Sequence, residues 1–147
     1  MHVERTFSVA QSPRQVFDYL GDFTRTEEWD PGTVSTTRTS GDGGLGTTYA
    51  NTSEFMGRRV ELTYETTVFE PTSELKFFGT QDKSTAQDWL RFTALPDGGT
   101  SIHYRADFHF SFPLNLVAPL VLKVKLPALA DETVTQLQRV LSERDTP

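Results

Sequence analysis

Residues 116–144 read LVAPLVLKVKLPALADETVTQLQRVLSER, and this stretch decides how the rest of the chain must fold. Its apolar residues recur mostly every three to five positions, which is the period of an amphipathic helix rather than a strand. Most of the preceding chain alternates like strands, so a sheet is the surface that can bury this helix. The sequence therefore predicts one long helix closed onto a curved sheet. The predicted apolar stripe is Leu116, Leu120, Val124, Leu129, Val134, Leu137 and Leu141.

Two prolines, Pro119 and Pro127, interrupt the predicted helix. Each proline removes a backbone donor and its ring clashes with the preceding turn, so we expect a kink or a break. We expect residues 116–126 to be a mobile lead-in and residues 127–144 to be the regular helix. If the protein binds a ligand, the lead-in is the predicted entrance.

Composition narrows the class of protein. The chain has 147 residues, a net charge of -6 and no cysteine. We therefore predict one domain spanning residues 1–147, with neither disulfides nor thiol chemistry. The acidic balance argues against binding to nucleic acid and against adsorption to an anionic membrane. The sequence shows neither an apolar run that could span a bilayer nor a signal-peptide pattern. We expect a cytoplasmic monomer or homodimer with no stable membrane insertion.

The chain before the final helix predicts a first strand, two short helices and six more strands. Ser12-Pro13 is a typical helix start, with serine as the N-cap and proline in the first turn. The later segments alternate apolar and polar residues between glycine- or proline-containing turns. Consecutive strands of such a meander pair as antiparallel neighbours. The predicted strands are residues 2–9, 34–39, 47–55, 58–69, 74–79, 85–95 and 100–112, and the short helices are residues 13–20 and 23–29.

The last predicted strand indicates which face of the sheet is buried. One side of residues 101–112 is apolar, whereas the other side carries two histidines, an arginine and an aspartate. Since one face must meet the helix, we predict that the apolar row points inward and the polar row points to water. A proton relay or metal site in the polar row is the alternative, but no zinc-binding motif is present. We predict no metal and no cofactor. The polar row is His103, Arg105, Asp107 and His109.

The same alternation predicts the residues that line the interior. A mostly apolar wall with a few polar groups is typical of a ligand pocket, although a filled core is the alternative for each residue. Asp88 and Leu90 are two residues apart on one strand, so their side chains point to the same face. Asp88 therefore lies either inside or at a solvated strand end. Arg5 is a candidate ion-pair partner for it. If Asp88 is buried, its pKa is raised and it is a weak candidate for a general base. The predicted ligand-binding residues are Trp29, Tyr49, Asn51, Phe55, Leu62, Tyr64, Phe77, Leu90, Tyr104, Phe108, Leu116, Leu120 and Val124.

A family resemblance is carried by residues 9–20 (VAQSPRQVFDYL), Trp29-Asp30-Pro31, the turn Asp97-Gly98-Gly99-Thr100, the strand that contains Tyr104, and the closing helix. In this order they resemble the START-like helix-grip superfamily, in particular its bacterial polyketide cyclase/dehydrase and lipid-transport (SRPBCC) branch. The resemblance covers essentially the whole chain. It implies an α+β fold in which a curved, seven-stranded antiparallel sheet wraps round the long C-terminal helix and encloses a hydrophobic cavity. It also implies that Trp29 closes one end of that cavity.

This fold leaves three functions open. The first is a carrier or sensor that binds a lipid or another hydrophobic small molecule, and we favour it because it needs no catalytic group. The second is a polyketide cyclase or dehydratase, which needs a base and an acid inside the cavity. Two titratable groups buried together would reverse this ranking. The third is a protein-interaction module, which would present a contiguous exposed apolar patch.

Overall fold

The structure has the predicted α+β architecture of seven antiparallel strands, two short helices with a 3-10 turn between them, and one long helix. It is a computed structural model that describes residues 1–55, 57–82 and 84–144, with the side chain of Phe55 outside the described part. None of the described helices is long and apolar enough to cross a membrane. The strands are β1 (His2–Val9), β2 (Thr33–Ser40), β3 (Thr48–Phe55), β4 (Arg58–Glu70), β5 (Glu74–Gln81), β6 (Ser84–Ala94) and β7 (Thr100–Phe110), and the helical segments are α1 (Pro13–Leu20), a 3-10 turn (Phe23–Arg25), α2 (Thr26–Trp29) and α3 (Leu114–Arg144).

The strands form a single sheet in the order β1-β7-β6-β5-β4-β3-β2. Strands β2 to β7 pair in chain order, as predicted for a meander, and β1 joins the far side of β7. Side chains alternate between the two faces along each strand. The register therefore places Phe77, Asp88 and Ala106 side by side in one row of the face that meets α3.

The two short helical segments close one end of the sheet. Ser12 caps α1: its hydroxyl accepts from the Gln15 backbone N–H, and its own N–H donates to the Gln15 side chain. This capping box confirms the predicted start of the helix. Phe23, in the 3-10 turn, then packs its ring against three rings of the sheet. The centroid distances are 4.4 Å to Phe77, 4.6 Å to Tyr64 and 5.6 Å to Tyr49.

The predicted break in the C-terminal helix is wrong, because α3 runs without interruption from Leu114 to Arg144. A proline in a helix leaves the carbonyl four residues earlier without its usual donor. For Pro119 and Pro127 these carbonyls belong to Asn115 and Lys123, which are both exposed. Water can satisfy exposed carbonyls, so the prolines do not force the helix to end.

The first half of α3 is also rotated relative to the predicted stripe. Leu116, Leu120 and Val124 are 63%, 74% and 77% exposed, so the prediction that they line the interior is wrong. The buried face contains Ala118, Leu122 and Leu126, which pack against three residues of the sheet, Val3, Phe108 and Phe110. This part of the chain is apolar on almost every side, and the sheet therefore determines which side is buried.

Because of this rotation, we expect substitution of one leucine in this half of the helix to lower the stability of the fold and substitution of another to leave it almost unchanged. Leu122→Ala should lower the free energy of unfolding by about 2 to 5 kcal/mol, because it removes a fully buried side chain. Leu120→Ala is the matched control and should change it by less than about 0.5 kcal/mol. Urea denaturation of both variants measures the difference. Equal losses would show that the helix is not oriented as described.

Candidate functional site

A hydrogen bond between two titratable side chains lies on the inner face of the sheet. The Tyr104 hydroxyl of β7 donates to Asp88 Oδ1 of β6 at 2.6 Å. Strand alternation turns both residues inward, as predicted for Tyr104, whereas the sequence left the position of Asp88 open. The cross-strand neighbours of Asp88 are Phe77 and Ala106, so its carboxylate emerges between two apolar side chains.

Tyr64 of β4 presents a second phenol to the same region. It is 8% exposed, and its hydroxyl has no hydrogen-bond partner among the described residues. The hydroxyl lies within electrostatic range of the carboxylates of Asp88 and Asp30. Gly79 is directly opposite Tyr64 on β5, and a Cβ on Gly79 would lie 2.7 Å from the phenol ring. The position of Tyr64 therefore depends on the absence of a side chain at Gly79.

Asp30 brings a second carboxylate to the region from the end of α2. Its oxygens accept from the Gly32 backbone N–H at 3.1 Å and from the Thr33 hydroxyl at 2.8 Å. The neighbouring Trp29 is 2% exposed and packs edge-on against Tyr104, with the ring centroids 6.1 Å apart. The indole N–H of Trp29 is buried and has no acceptor within the described part of the chain. We refer to Trp29, Asp30, Tyr64, Asp88 and Tyr104 as the Asp88 site.

Burial and like charge alter the ionisation of this site. Burial raises the pKa of Asp88 to about 7, with a further increase from the charge of Asp30, while the hydrogen bond from Tyr104 opposes the shift. Burial also raises the pKa of Asp30, and the charge of Glu132 adds to it. Burial and the nearby carboxylates hold the pKa of Tyr64 and Tyr104 well above the usual value, so both phenols stay protonated. Near neutral pH, Asp88 can therefore accept a proton or a hydrogen bond, while Tyr64 remains a free donor.

Arg5 does not neutralise Asp88, although the sequence left that pairing open. Its guanidinium binds Asp131 Oδ1 of α3 at 2.9 Å and the backbone carbonyls of Glu4 and Pro127. The charged groups that shift the pKa of Asp88 and Asp30 include no lysine, arginine or histidine of the described residues. Above about pH 7, where Asp88 is ionised, the site therefore carries negative charge with no counter-ion among the described residues.

The middle of α3 lies above the Asp88 site. Arg5 is directly opposite Tyr104 in the sheet and binds Asp131, while Asp30 is within electrostatic range of Glu132. At this level the buried helix residues are Ala130 and Thr133, and neither belongs to the two apolar clusters of the core. The sheet below is also lined by small residues, Gly79, Ala86 and Ala106.

Other predicted lining residues have mainly packing roles. Tyr49, Phe77 and Leu90 are fully buried in the main core, and two of them pack against Phe23. Leu62 and Phe108 are partly buried at the edge of the core. The Asn51 amide donates to Thr36 and accepts from Ser53. The prediction for Phe55 concerns a side chain outside the described residues.

The outer face confirms the predicted solvent-facing row. His103 contacts the side chains of Glu4 and Thr6, and Arg105 forms an ion pair with Asp107. Trp89, the cross-strand neighbour of Arg105, donates to Glu74. Within the described residues, no group of three or more His, Asp or Glu side chains could hold a metal ion.

A polar groove of about 710 Å³ lies elsewhere, between α1 and the turn that joins β2 to β3. Asp18, Asp22, Arg38 and Asp42 contribute to its walls. All four side chains are exposed, so they remain hydrated and gain no unusual reactivity from burial. We therefore place the candidate functional site at Asp88.

Sequence reasoning missed Asp30 and Gly79 as parts of the site. Asp30 belongs to the Trp29-Asp30-Pro31 element, so the sequence indicated that this segment is important. It did not indicate that Asp30 interacts electrostatically with Asp88. Gly79 lies in a predicted strand, where an isolated glycine indicates close approach by another group. That signal was available in the sequence.

The raised pKa of Asp88 predicts how stability depends on pH. The folded-state pKa of about 7 exceeds the ordinary aspartate pKa of 3.8, so the folded protein binds more protons than the unfolded chain between these values and loses stability as pH rises. Asp88→Asn removes this titration. The stability of the variant relative to the wild type should therefore rise with pH, by up to about 1.4 kcal/mol per pH unit.

Urea denaturation at several pH values from about 5 to about 7 measures this difference. Asp107→Asn removes an equal charge from the outer face, where Asp107 pairs with Arg105, and is the matched control. If the Asp88→Asn and wild-type curves stay parallel across this range, the carboxylate is solvated and the described environment is wrong.

Comparisons with solved structures show the same fold at low sequence identity. A START superfamily protein from Mycobacterium smegmatis has a TM-score of 0.78 at 16% identity, covering 97% of each chain. The Zhui aromatase/cyclase from Streptomyces sp. R1128 has a TM-score of 0.76 at 17% identity, covering 98% of this chain and 94% of that chain. A conserved protein from Geobacillus kaustophilus has a TM-score of 0.77 at 13% identity, covering 97% and 96%. The sequence matches no curated protein.

A family model extends over almost the whole chain. It is described as polyketide cyclase / dehydrase and lipid transport, and it matches residues 1–142. Together with the START-fold neighbours, this match confirms the predicted superfamily. The chain belongs to the polyketide cyclase/dehydrase and lipid-transport family.

Proposed function

We propose that the protein binds a hydrophobic small molecule in a cavity between the sheet and α3, with a polar end of the ligand at the Asp88 site. The observation that carries the proposal is the Tyr64 hydroxyl, which has no hydrogen-bond partner among the described residues although its side chain is 8% exposed and lies beside two carboxylates. Leaving a buried polar group unpaired costs about 1 to 3 kcal/mol. A bound ligand that pairs with this group would remove that cost.

The small residues on both surfaces support the cavity. Large leucines of α3 fill the two ends of the interface, at Leu122 and Leu126 on one side and at Leu137 and Leu141 on the other. Between them the helix presents Ala130 and Thr133. Apolar walls with a few placed polar groups are the usual composition of a small-molecule site. The family description, which names lipid transport, agrees with such a ligand.

A second candidate function is proton abstraction next to a carbonyl group, as a cyclase or dehydratase requires. The sequence criterion for this function was two titratable groups buried together. Asp88 and Tyr104 meet it only in part, because Tyr104 is buried whereas Asp88 is partly exposed. Asp88 would take a proton from carbon, and the electron pair would move to the carbonyl oxygen to give an enolate. The free Tyr64 hydroxyl would donate to that oxygen. Binding precedes either function, so it is the primary proposal.

The exposed apolar row of α3 is the feature that the third hypothesis, an interaction module, requires. Leu116, Leu120 and Val124 follow one another at four-residue spacing, and all are exposed, as is Phe112 just before the helix. The row faces away from the interior. An interaction through this row would therefore not compete with ligand binding at the Asp88 site.

Filling the proposed cavity tests the primary proposal. Ala130→Leu should change the free energy of unfolding by less than about 1 kcal/mol and abolish binding of decanol and of the uncharged dye Nile red. In a filled core the same substitution would cost about 1 to 3 kcal/mol from overpacking. Ala128→Leu makes the same change on the exposed side of α3 and should leave binding intact. Thermal shift and dye fluorescence measure both effects. No binding of either probe by the wild type would contradict the proposal.

Carbon-bound hydrogen exchange tests the second candidate. The protein should accelerate exchange of the acidic hydrogens of β-tetralone for deuterium, with a rate that rises as pH increases through about 7. Asp88→Asn should abolish the acceleration while preserving decanol binding, and NMR follows both. Unchanged exchange in Asp88→Asn would exclude Asp88 as the base.

A further inference from the structure

We infer that the polar end of the ligand is a cationic ammonium group, held by Asp88 and Asp30 and by the aromatic rings of the same site. The inference rests on the proposed function, because it names the chemical class of the molecule that the interior binds. It predicts an amphiphilic amine rather than a fatty acid.

The charge of the site is the first argument. Asp88 and Asp30 come from different elements, β6 and the end of α2, and their charges interact. Arg5, the cross-strand neighbour of Tyr104, is committed to Asp131 and two backbone carbonyls. Buried charges are normally paired with an opposite charge. A ligand cation would supply the counter-ion that the described residues do not.

The unsatisfied polar atoms are the second argument, and they are independent of charge. The Tyr64 side chain is 8% exposed, and its hydroxyl has no partner in the described residues and is close to both carboxylates. The indole N–H of Trp29 in the same site is buried and also has no partner there. A hydroxyl can rotate and offer its lone pairs to a donor. Tyr104 uses its proton on Asp88 Oδ1, which leaves Asp88 Oδ2 for the ligand. An ammonium group has three donors and could bond these acceptors together.

The aromatic composition is the third argument. Trp29, Tyr64 and Tyr104 all belong to the site, and two of their rings are in edge contact. Aromatic faces attract cations, and the attraction is stronger where water is excluded. A carboxylate ligand would meet two like charges and the negative faces of the rings. It would bind only after protonation of the carboxyl groups.

A cationic ligand should bind with an affinity that depends on pH. A primary alkylamine keeps its charge up to about pH 10, as the lysine ammonium does, whereas Asp88 gains its charge near pH 7. The groups that act on Asp88 are Tyr104 of β7, Tyr64 of β4 and Asp30, and Glu132 of α3 acts in turn on Asp30. The two phenols stay neutral in this range. Amine affinity should therefore rise as pH increases from about 6 to about 8.

Three probes of equal chain length, decylamine, decanol and decanoate, test the inference by calorimetric titration at about pH 8. Decylamine should bind about tenfold or more tightly than decanol, and decanoate should bind least. For the wild-type protein at about pH 5.5 the preference for decylamine should shrink. This measurement needs no variant, so it holds even if Asp88→Asn folds poorly.

Two variants test whether the preference for decylamine over decanol arises at the Asp88 site. Asp88→Asn should bind decylamine and decanol equally, while Asp107→Asn, on the outer face, should keep the wild-type preference. The inference is overturned, and the proposed function survives, if decanol or decanoate binds as tightly as decylamine, or if Asp88→Asn keeps the full preference. If none of the three probes binds, the proposed function fails and the inference fails with it.

Discussion

One helix has to cover the concave face of a seven-stranded sheet, and the rest of the structure depends on how it does so. A sheet with one face in water must bury the other, or its apolar rows remain exposed. Helix α3 meets this requirement with leucines at both ends of the contact and small residues in the middle. The contact is therefore tight at the ends, and the Asp88 site lies under the part where the side chains are smallest.

The short helical segments determine which polar groups this middle part contains. Phe23 fixes the 3-10 turn to the sheet through three rings, and Thr26 bonds the Thr36 side chain of β2. These contacts carry α2 to the end of the sheet, where Trp29 and Asp30 follow. A carboxylate from outside the sheet thereby comes close to one within it. The electrostatics of the site are thus a consequence of aromatic packing elsewhere.

The sequence was sufficient to predict which face a side chain lies on wherever the alternation of apolar and polar residues along a strand determined that face. Alternation along the strands correctly turned Tyr64 and Tyr104 inward and His103 and Arg105 outward. It was insufficient where the choice depended on distant residues. Residues 116–126 are apolar on almost every side, so no period could show that Val3, Phe108 and Phe110 would select Leu122 rather than Leu120.

Long-range contacts also explain what remained hidden in the site itself. Parity left Asp88 either buried or solvated, because the answer depends on Phe77 and Ala106 on neighbouring strands. The burial of Asp30 depends on α2 meeting α3. Likewise, Arg5 had the correct parity to pair with Asp88, but α3 supplies Asp131 as its partner. No single stretch of sequence contains both members of these pairs.

An apolar residue at position 88 would make the fold more stable than Asp88 does. Its cross-strand neighbours are Phe77 and Ala106, and well-packed apolar side chains commonly match or exceed buried charged groups in stability. The hydrogen bond from Tyr104 only partly offsets the effect of burial, because the pKa of Asp88 remains raised. Packing alone therefore gives no reason for a carboxylate here, whereas a bound ligand does. Natural proteins accept such local losses of stability where function requires a particular group.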